Sequence, residues 1–339
     1  MNKKLLIAAV GMALVAGPMM AAQAAPTVYG KMNVGFAKID NGNAANADSM
    51  VVTDDASRLG VTGDEDLGGG LKVIYTWENT LDIDNGGLGS ARDAFVGLAG
   101  SSWGSVRLGQ YNSTYKNLSV PLEVFGDTIG DMSSFGMNGE TREANKIGYI
   151  SPNISGLVFG VESSRGETGL TTESNPSILT ASYTAGPLYV GLGIKNMDNQ
   201  GTTGLDDSKK LVGRFNMDAI SVWAIIERQS AKGTLSTTNQ ELDTNHIGAS
   251  YKMGNNTIAA TITKTGSSAT GYDSEAMALG VIHALSKTTQ LKFVWTSVDN
   301  DTNGTSMGRL SAANASHSLT GTTAGKDPSG IQAQISTAF

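Results

Sequence analysis

From Val28 to the C-terminus, apolar and polar residues alternate with a period of two in short segments. The first segment is Val28-Tyr29-Gly30-Lys31-Met32-Asn33-Val34-Gly35-Phe36. Val28, Met32, Val34 and Phe36 fall on one face of an extended chain; Lys31 and Asn33 fall on the other. On a helix the same apolar residues would scatter around the axis, so the segment is a strand. The pattern returns throughout the chain in stretches of roughly ten residues. Residues 58–63 and 71–78 flank a turn at Asp66-Leu67-Gly68-Gly69-Gly70, and residues 91–98 and 105–110 flank 100–104. Further hairpins turn at Pro152-Asn153, Ala185-Gly186-Pro187, Met217-Asp218, Gly254-Asn255 and Leu285-Ser286-Lys287, and residues 331–339 close the chain.

These segments number about 16, an even count within the range of outer-membrane barrels. Short turns alternate with long polar connections, such as residues 40–57, as they do when one barrel end is periplasmic and the other extracellular. A soluble β-sandwich rarely keeps so regular an alternation over so many hairpins. The pattern predicts an all-β transmembrane antiparallel barrel, with short periplasmic turns and long extracellular loops. At about 16 strands its interior is an aqueous channel rather than a packed core.

Composition adds constraints. Residues 1–24 read as a cleaved secretory signal: a basic Met1-Asn2-Lys3-Lys4, an apolar run to Met20, and Ala22-Gln23-Ala24 as the cleavage site. The barrel is then residues 25–339. No later run reaches 18 apolar residues, so no transmembrane helix is available, and only a closed barrel satisfies its backbone in lipid. Cysteine is absent, so no disulfide framework is expected. The chain carries 24 Lys+Arg against 31 Asp+Glu, the wrong sign for a nucleic-acid binder. The acids cluster in expected loops, at Asp54-Asp55, 82–84, Asp206-Asp207 and 299–301.

Several stretches carry a family resemblance. They are Tyr29-Gly30-Lys31, residues 57–71 (SRLGVTGDEDLGGGL), residues 91–98 (ARDAFVGL), residues 104–110 (GSVRLGQ) and Gly148-Tyr149-Ile150-Ser151-Pro152. In these the chain resembles the general bacterial porins, the trimeric diffusion channels of Gram-negative outer membranes. The likeness is most specific over residues 28–155; later strands match in rhythm. It implies a third loop folded into the pore, for which residues 112–145 are the candidate. Pro121-Leu122-Glu123-Val124-Phe125-Gly126-Asp127 is similar to the family's Pro-Glu-Phe-Gly-Gly-Asp stretch with one spacing changed. The resemblance therefore implies Glu123, Asp127 and the following Asp131 as constriction acids. It implies Lys31, Arg58 and Arg92 as the opposing wall bases; inward parity alone adds Arg107. Arg58 and Arg92 are read as inward because each precedes an outward apolar residue, Leu59 and Phe95.

Fixed charges of opposite sign, held apart across a narrow aqueous gap, set up a transverse field that favours polar solutes. Two unit charges about 8 Å apart at an effective dielectric near 20 interact by roughly 2 kcal/mol, less in salt. That biases permeation without blocking it. Neutralising Glu123 or Asp127 should then move ion preference toward anions. The resemblance further implies a homotrimer in outer-membrane lipid and lipopolysaccharide, passing small hydrophilic solutes and ions, with no cofactor and no metal. The alternative is a barrel whose long loops serve as an adhesin or receptor.

Enzymatic motifs fail on context. Gly100-Ser101-Ser102-Trp103-Gly104 fits G-x-S-x-G but lies between two strands, whereas a nucleophile elbow leads into a helix. His246, His283 and His317 stand apart from one another in sequence. Asp299-Asn300-Asp301-Thr302-Asn303-Gly304 starts like a calcium loop but has Leu310 where glutamate is required. The last strand puts Ile331, Ala333, Ile335 and Phe339 on one face. A terminal Phe339 resembles the signal read by the barrel assembly machinery, and its strand must pair with the first to abolish the sheet's edges.

Overall fold

The computed structural model describes residues 25–40, 42, 49–137, 139–166, 175–197, 204–232, 241–268, 270–303, 312–313, 317–318 and 324–339. The signal-sequence expectation at 1–24 and His317's side chain lie outside the described residues. The strands are β1 (Thr27–Asp40), β2 (Ser49–Asp54), β3 (Arg58–Gly68), β4 (Leu71–Asp82), β5 (Gly87–Gly100), β6 (Gly104–Asn112), β7 (Arg142–Ile150) and β8 (Leu157–Ser164). They continue as β9 (Ser177–Ala185), β10 (Leu188–Asn196), β11 (Gly204–Met217), β12 (Ile220–Lys232), β13 (Leu242–Met253), β14 (Asn256–Ser267), β15 (Ser274–Ala284), β16 (Thr289–Asn300) and a C-terminal strand, Ser329–Ala338.

Neighbouring strands pair antiparallel all the way round. β1 pairs on one side with β2 and β3, and on the other with the C-terminal strand, from Lys31 opposite Ala338 to Asp40 opposite Ser329. Since β2 and β3 share β1 as partner, they are one barrel strand broken at 55–57, and the barrel has sixteen. Ala56 takes a left-handed φ of 62° at that break. The closure expected of Phe339 is present: Gly30 N donates to Phe339 O at 3.0 Å, and Phe339 N donates to Gly30 O at 3.1 Å. The Phe339 ring covers Gly30 on the outer face, where any Cβ would run into it.

The alternation along each strand sorts residues between two solvents. Val28, Met32, Phe36, Leu192, Ile247, Leu279, Phe293 and Ile335 are exposed on the outer face. A contiguous apolar belt of this kind is stable only against lipid. Asn33, Lys195, Glu227, Thr244, His246 and Gln334 point inward. No described helix is long and apolar enough to cross a membrane, and the strands do the crossing.

Two expectations need correction. The strands overrun their expected ends at the long-loop side: β11 includes Asp206 and Asp207, and the β4–β5 connection is only residues 83–86. Backbone pairing continues beyond the apolar belt, so polarity marks the edge of the lipid rather than the end of the strand. Asp54 and Asp55 are also not loosely solvated. Both are buried, with Asp55 Oδ2 accepting from Gln332 Nε2 at 2.7 Å and Gln334 Nε2 at 2.9 Å. Sequence pattern could not anticipate that the third loop's tip covers this corner.

Candidate functional site: the inward loop and the wall it faces

β6 ends at Asn112 and β7 starts at Arg142, and the connection between them, 113–141, lies inside the barrel. Ser113 begins it by capping helix α1 (Thr114–Asn117), its Oγ accepting from Lys116 N at 3.1 Å. One apolar group of the loop, Leu118, Leu122, Met132 and Met137, packs on Val212, Trp223 and Ile225. A second, Phe125, Ile129 and Phe135, packs on Ala37, Ile39, Ala259, Ala276, Ala278, Val294 and Val298. Small alanines at these wall positions make room for the loop's aromatic rings. Burial of Phe125 alone contributes about 2–3 kcal/mol.

Polar wall residues hold the loop's backbone, as buried carbonyls require. Tyr189 OH donates to Leu118 O at 3.0 Å, and Lys292 Nζ donates to Gly126 O at 2.7 Å. Gln229 Nε2 and Thr244 Oγ1 donate to Gly136 O at 2.9 and 3.0 Å. Gly136 has φ 79°, and a Cβ there would strike the hydroxyls of Thr244 and Thr265. Buried ion pairs clamp the loop's far end. Lys210 pairs with Glu140 and donates to Ser119 Oγ at 3.0 Å; Lys195 donates to Gly139 O at 3.1 Å.

Asp127 is at the turn nearest β1, in a left-handed conformation (φ 58°) rare for a residue other than glycine. Its carbonyl is fixed by Gln334 Nε2 at 2.6 Å and Asn33 Nδ2 at 3.2 Å. Its carboxylate meets Lys31 Nζ at 2.9 Å and Arg58 Nη1 at 3.7 Å. Next along the wall, Glu78 pairs with both Arg58 (3.9 Å) and Arg92, and Tyr29 OH donates to it at 2.9 Å. The structure thus brings Lys31, Arg58, Arg92 and Asp127 into one cluster of three cations and two carboxylates. The side chains of Lys31, Arg58, Arg92 and Asp127 keep 17–25% of their surface exposed.

The other expected site residues are placed differently. Asp131 is buried, and its carboxylate accepts from Asp127 N at 2.9 Å and from Ser133 N at 2.9 Å. It shapes the turn that presents Asp127. Glu123 lines the seam between loop and wall with Met132, His246 and Thr261. Burial, reinforced by the nearby charges of Asp131 and Glu140, pushes its carboxyl up to about 8. Arg107 faces inward and lies 5.0 Å over the Phe95 ring. No ion pair joins it to a loop acid among the described residues. The parity assumed for Phe95 was wrong: it packs edge-on against buried Tyr111 inside the barrel. Irregular β4–β5 pairing between Trp77 and Asn79 shifts the phase, which is why Arg92 and Phe95 both face in.

Among the described residues, the one group of three acids close enough to share a metal is Asp54, Asp82 and Asp84, whose carboxylate oxygens lie within 4.8 Å of one another. Asp54 already accepts from Ser57 N and Ile83 N. Burial and the hydrogen bond to Asp82 raise the Asp84 carboxyl above its ordinary value. The G-x-S-x-G segment is the turn between β5 and β6.

Residues 7–303 of the chain match a family model described as Gram-negative porin. The chain belongs to the Gram-negative porin family. Outer membrane porin protein 32 of Delftia acidovorans is 27% identical over 318 residues, 86% of this chain and 88% of that protein. A monosaccharide porin from Halomonas sp is 28% identical over 217 residues, and the match spans 58% of that relative's length. Among solved structures, the anion-selective porin from Comamonas acidovorans superposes with a TM-score of 0.81 at 23% identity, covering 93% of this chain and 99% of that one. The porin is therefore a barrel of the outer membrane.

Sequence reading missed three inward residues: Glu78, Lys292 and Gln334. Glu78 follows outward Trp77 on β4, so parity assigns it inward as well; its pairing with Arg92 depends on the extra residue that β5 carries between Ala91 and Ala94. Lys292 and Gln334 lie on polar faces that parity does assign inward. Their contact with the loop depends on where the loop goes.

Proposed function

We propose that this porin is a passive, water-filled channel for small hydrophilic solutes, with a constriction between Asp127 and the Lys31–Arg58–Arg92 wall that prefers anions. The observation that carries this reading is the cluster's imbalance, three cations against Asp127 and Glu78, beside a Glu123 whose carboxyl is raised by burial. The constriction opposes the chain's overall acidity, and an ion senses the local charge because salt screens the rest over about 8–10 Å. Asp131 acts as a positioning residue for Asp127, and Arg107 lines the approach. No side-chain set for catalysis is invoked; movement follows the concentration gradient. A homotrimer is the proposed assembly, and Phe339 the proposed assembly signal.

Purified protein in a planar bilayer under a salt gradient tests this. Stepwise conductance with a zero-current potential of the anion-preferring sign is expected. Insertion without conductance steps rejects the channel; the opposite sign rejects the assignment of the constriction.

A further inference from the structure

The barrel strand made of β2 and β3 breaks at 55–57, immediately before Arg58 takes its place opposite Lys31. Ala56 at the break and Asp127 in the loop are both left-handed, with φ of 62° and 58°. Residues with a side chain hold that conformation where surrounding contacts impose it. Asn33 Nδ2 joins the two bends, donating to the carbonyls of Asp55 and Asp127. The break aims the buried Asp55 carboxylate into the corner that the loop tip covers. Its Oδ2 accepts from Thr53 Oγ1 at 2.8 Å, Gln332 Nε2 at 2.7 Å and Gln334 Nε2 at 2.9 Å. Gly35 lies in register between Thr53 and Gln334 and leaves room for this meeting: a Cβ there would stand 2.8 Å from Thr53 Oγ1 and 2.9 Å from Gln332 Nε2.

A glutamine amide donates at one end and accepts at the other, and the two ends are alike in size. An ionised carboxylate only accepts. Asp55 therefore admits Gln332 and Gln334 in one orientation, each with Nε2 toward it. Gln332 is left with Oε1 for the loop, and Ile129 N donates to it at 3.0 Å. Gln334 has a second Nε2 hydrogen, which it donates to Asp127 O at 2.6 Å. We infer that Asp55 is a positioning residue for the constriction: by orienting Gln332 and Gln334 it sets where Asp127 stands against Lys31 and Arg58. This rests on the constriction proposed above. Asp55 is only 3% exposed, so it acts through hydrogen bonds and not by meeting solute.

Zero-current potentials of Asp55→Asn, Asp127→Asn and the double variant, measured in planar bilayers under a salt gradient, test this. Asparagine brings N–H donors of its own and lets the glutamines turn over, so Asp127 should move off Lys31 and Arg58 and leave their charge open to anions. Asp55→Asn alone should raise the anion-to-cation permeability ratio about twofold and add almost nothing in the Asp127→Asn background. Gln334→Met changes no charge and should shift the ratio in the same direction, which keeps the test open if Asp55→Asn fails to assemble. An equal shift from Asp55→Asn in both backgrounds overturns the inference, because the Asp55 charge would then act directly. So does an unchanged ratio in both Asp55→Asn and Gln334→Met, which would leave Asp55 a stabiliser of the wall alone. An unchanged potential in Asp127→Asn itself overturns the constriction reading, and the inference with it.

Discussion

The inner wall has two halves of opposite character. Along β9–β16 the inward loop covers it, and Lys195, Lys210, Glu227, Thr244 and His246 are buried. Along the start of β1 and β3–β5 the loop leaves the wall partly open, and Lys31, Arg58 and Arg92 keep part of their surface exposed. Both halves obey the same rule, polar inward and apolar outward. On the covered half the polar groups bind loop backbone and each other; on the uncovered half they pair with Asp127 and Glu78 and stay partly exposed. The loop divides a polar lining into a scaffold and, on the proposed reading, a constriction.

The largest effect should come from the covered half. Lys210 pairs with Glu140 of the loop and lies 3.9 Å from Glu227, with all three buried. Lys210→Ala leaves two buried carboxylates without their cation, which destabilises by about 3–5 kcal/mol. The loss should appear as a lower urea midpoint and as new protease cleavage within residues 113–141. A Lys210→Met variant with the same lower midpoint but no new cleavage in the loop would mean that the clamp holds the barrel, not the loop.

On the uncovered half, the proposed selectivity rests on smaller free energies. Arg58→Glu changes the cluster from three cations and two carboxylates to the reverse. The local bias should swing by about 1–2 kcal/mol, enough to reverse the sign of the zero-current potential. Asp127→Asn should work the other way and strengthen anion preference by about 1 kcal/mol or less. Asparagine tolerates the left-handed φ of 58°, so the turn survives and the charge alone is tested. Unchanged potentials in both variants would put the permeation path elsewhere.

The contrast between halves also explains what sequence could reveal. Period-two alternation with Gly/Pro/Asn turns located all sixteen strands, because inside and outside differ in solvent. It also placed Lys31 and Arg58 inward. It failed at Phe95, where irregular pairing changes the phase, and it could not find Glu78, Lys292 or Gln334 as loop and eyelet partners. The contacts of Lys292 and Gln334 depend on the path of a 29-residue segment, 113–141, which has no periodicity of its own, and that of Glu78 with Arg92 on the irregular β4–β5 pairing. Family resemblance named Asp127, Glu123 and Asp131 alike; only packing separates the one beside the wall cations from the two that are not.

Glu123 gives the finest separation of the two halves, because it sits on the seam between them. If it were an exposed eyelet acid, Glu123→Gln would shift ion preference at every pH above about 5. Its carboxyl is instead pushed up to about 8 by burial and by Asp131 and Glu140. At pH 7 the substitution should leave the zero-current potential nearly unchanged. Between pH 7 and 9 the wild type should lose part of its anion preference as Glu123 ionises, while the Gln variant should not. The loop's seating follows the same proton. A carboxyl whose folded value exceeds its ordinary 4.5 favours the folded state fully below that value, and the advantage disappears as pH rises toward 8. Wild-type resistance to loop proteolysis should therefore fall across that window and stay flat in Glu123→Gln. Parallel pH profiles in the two proteins would return Glu123 to the uncovered half.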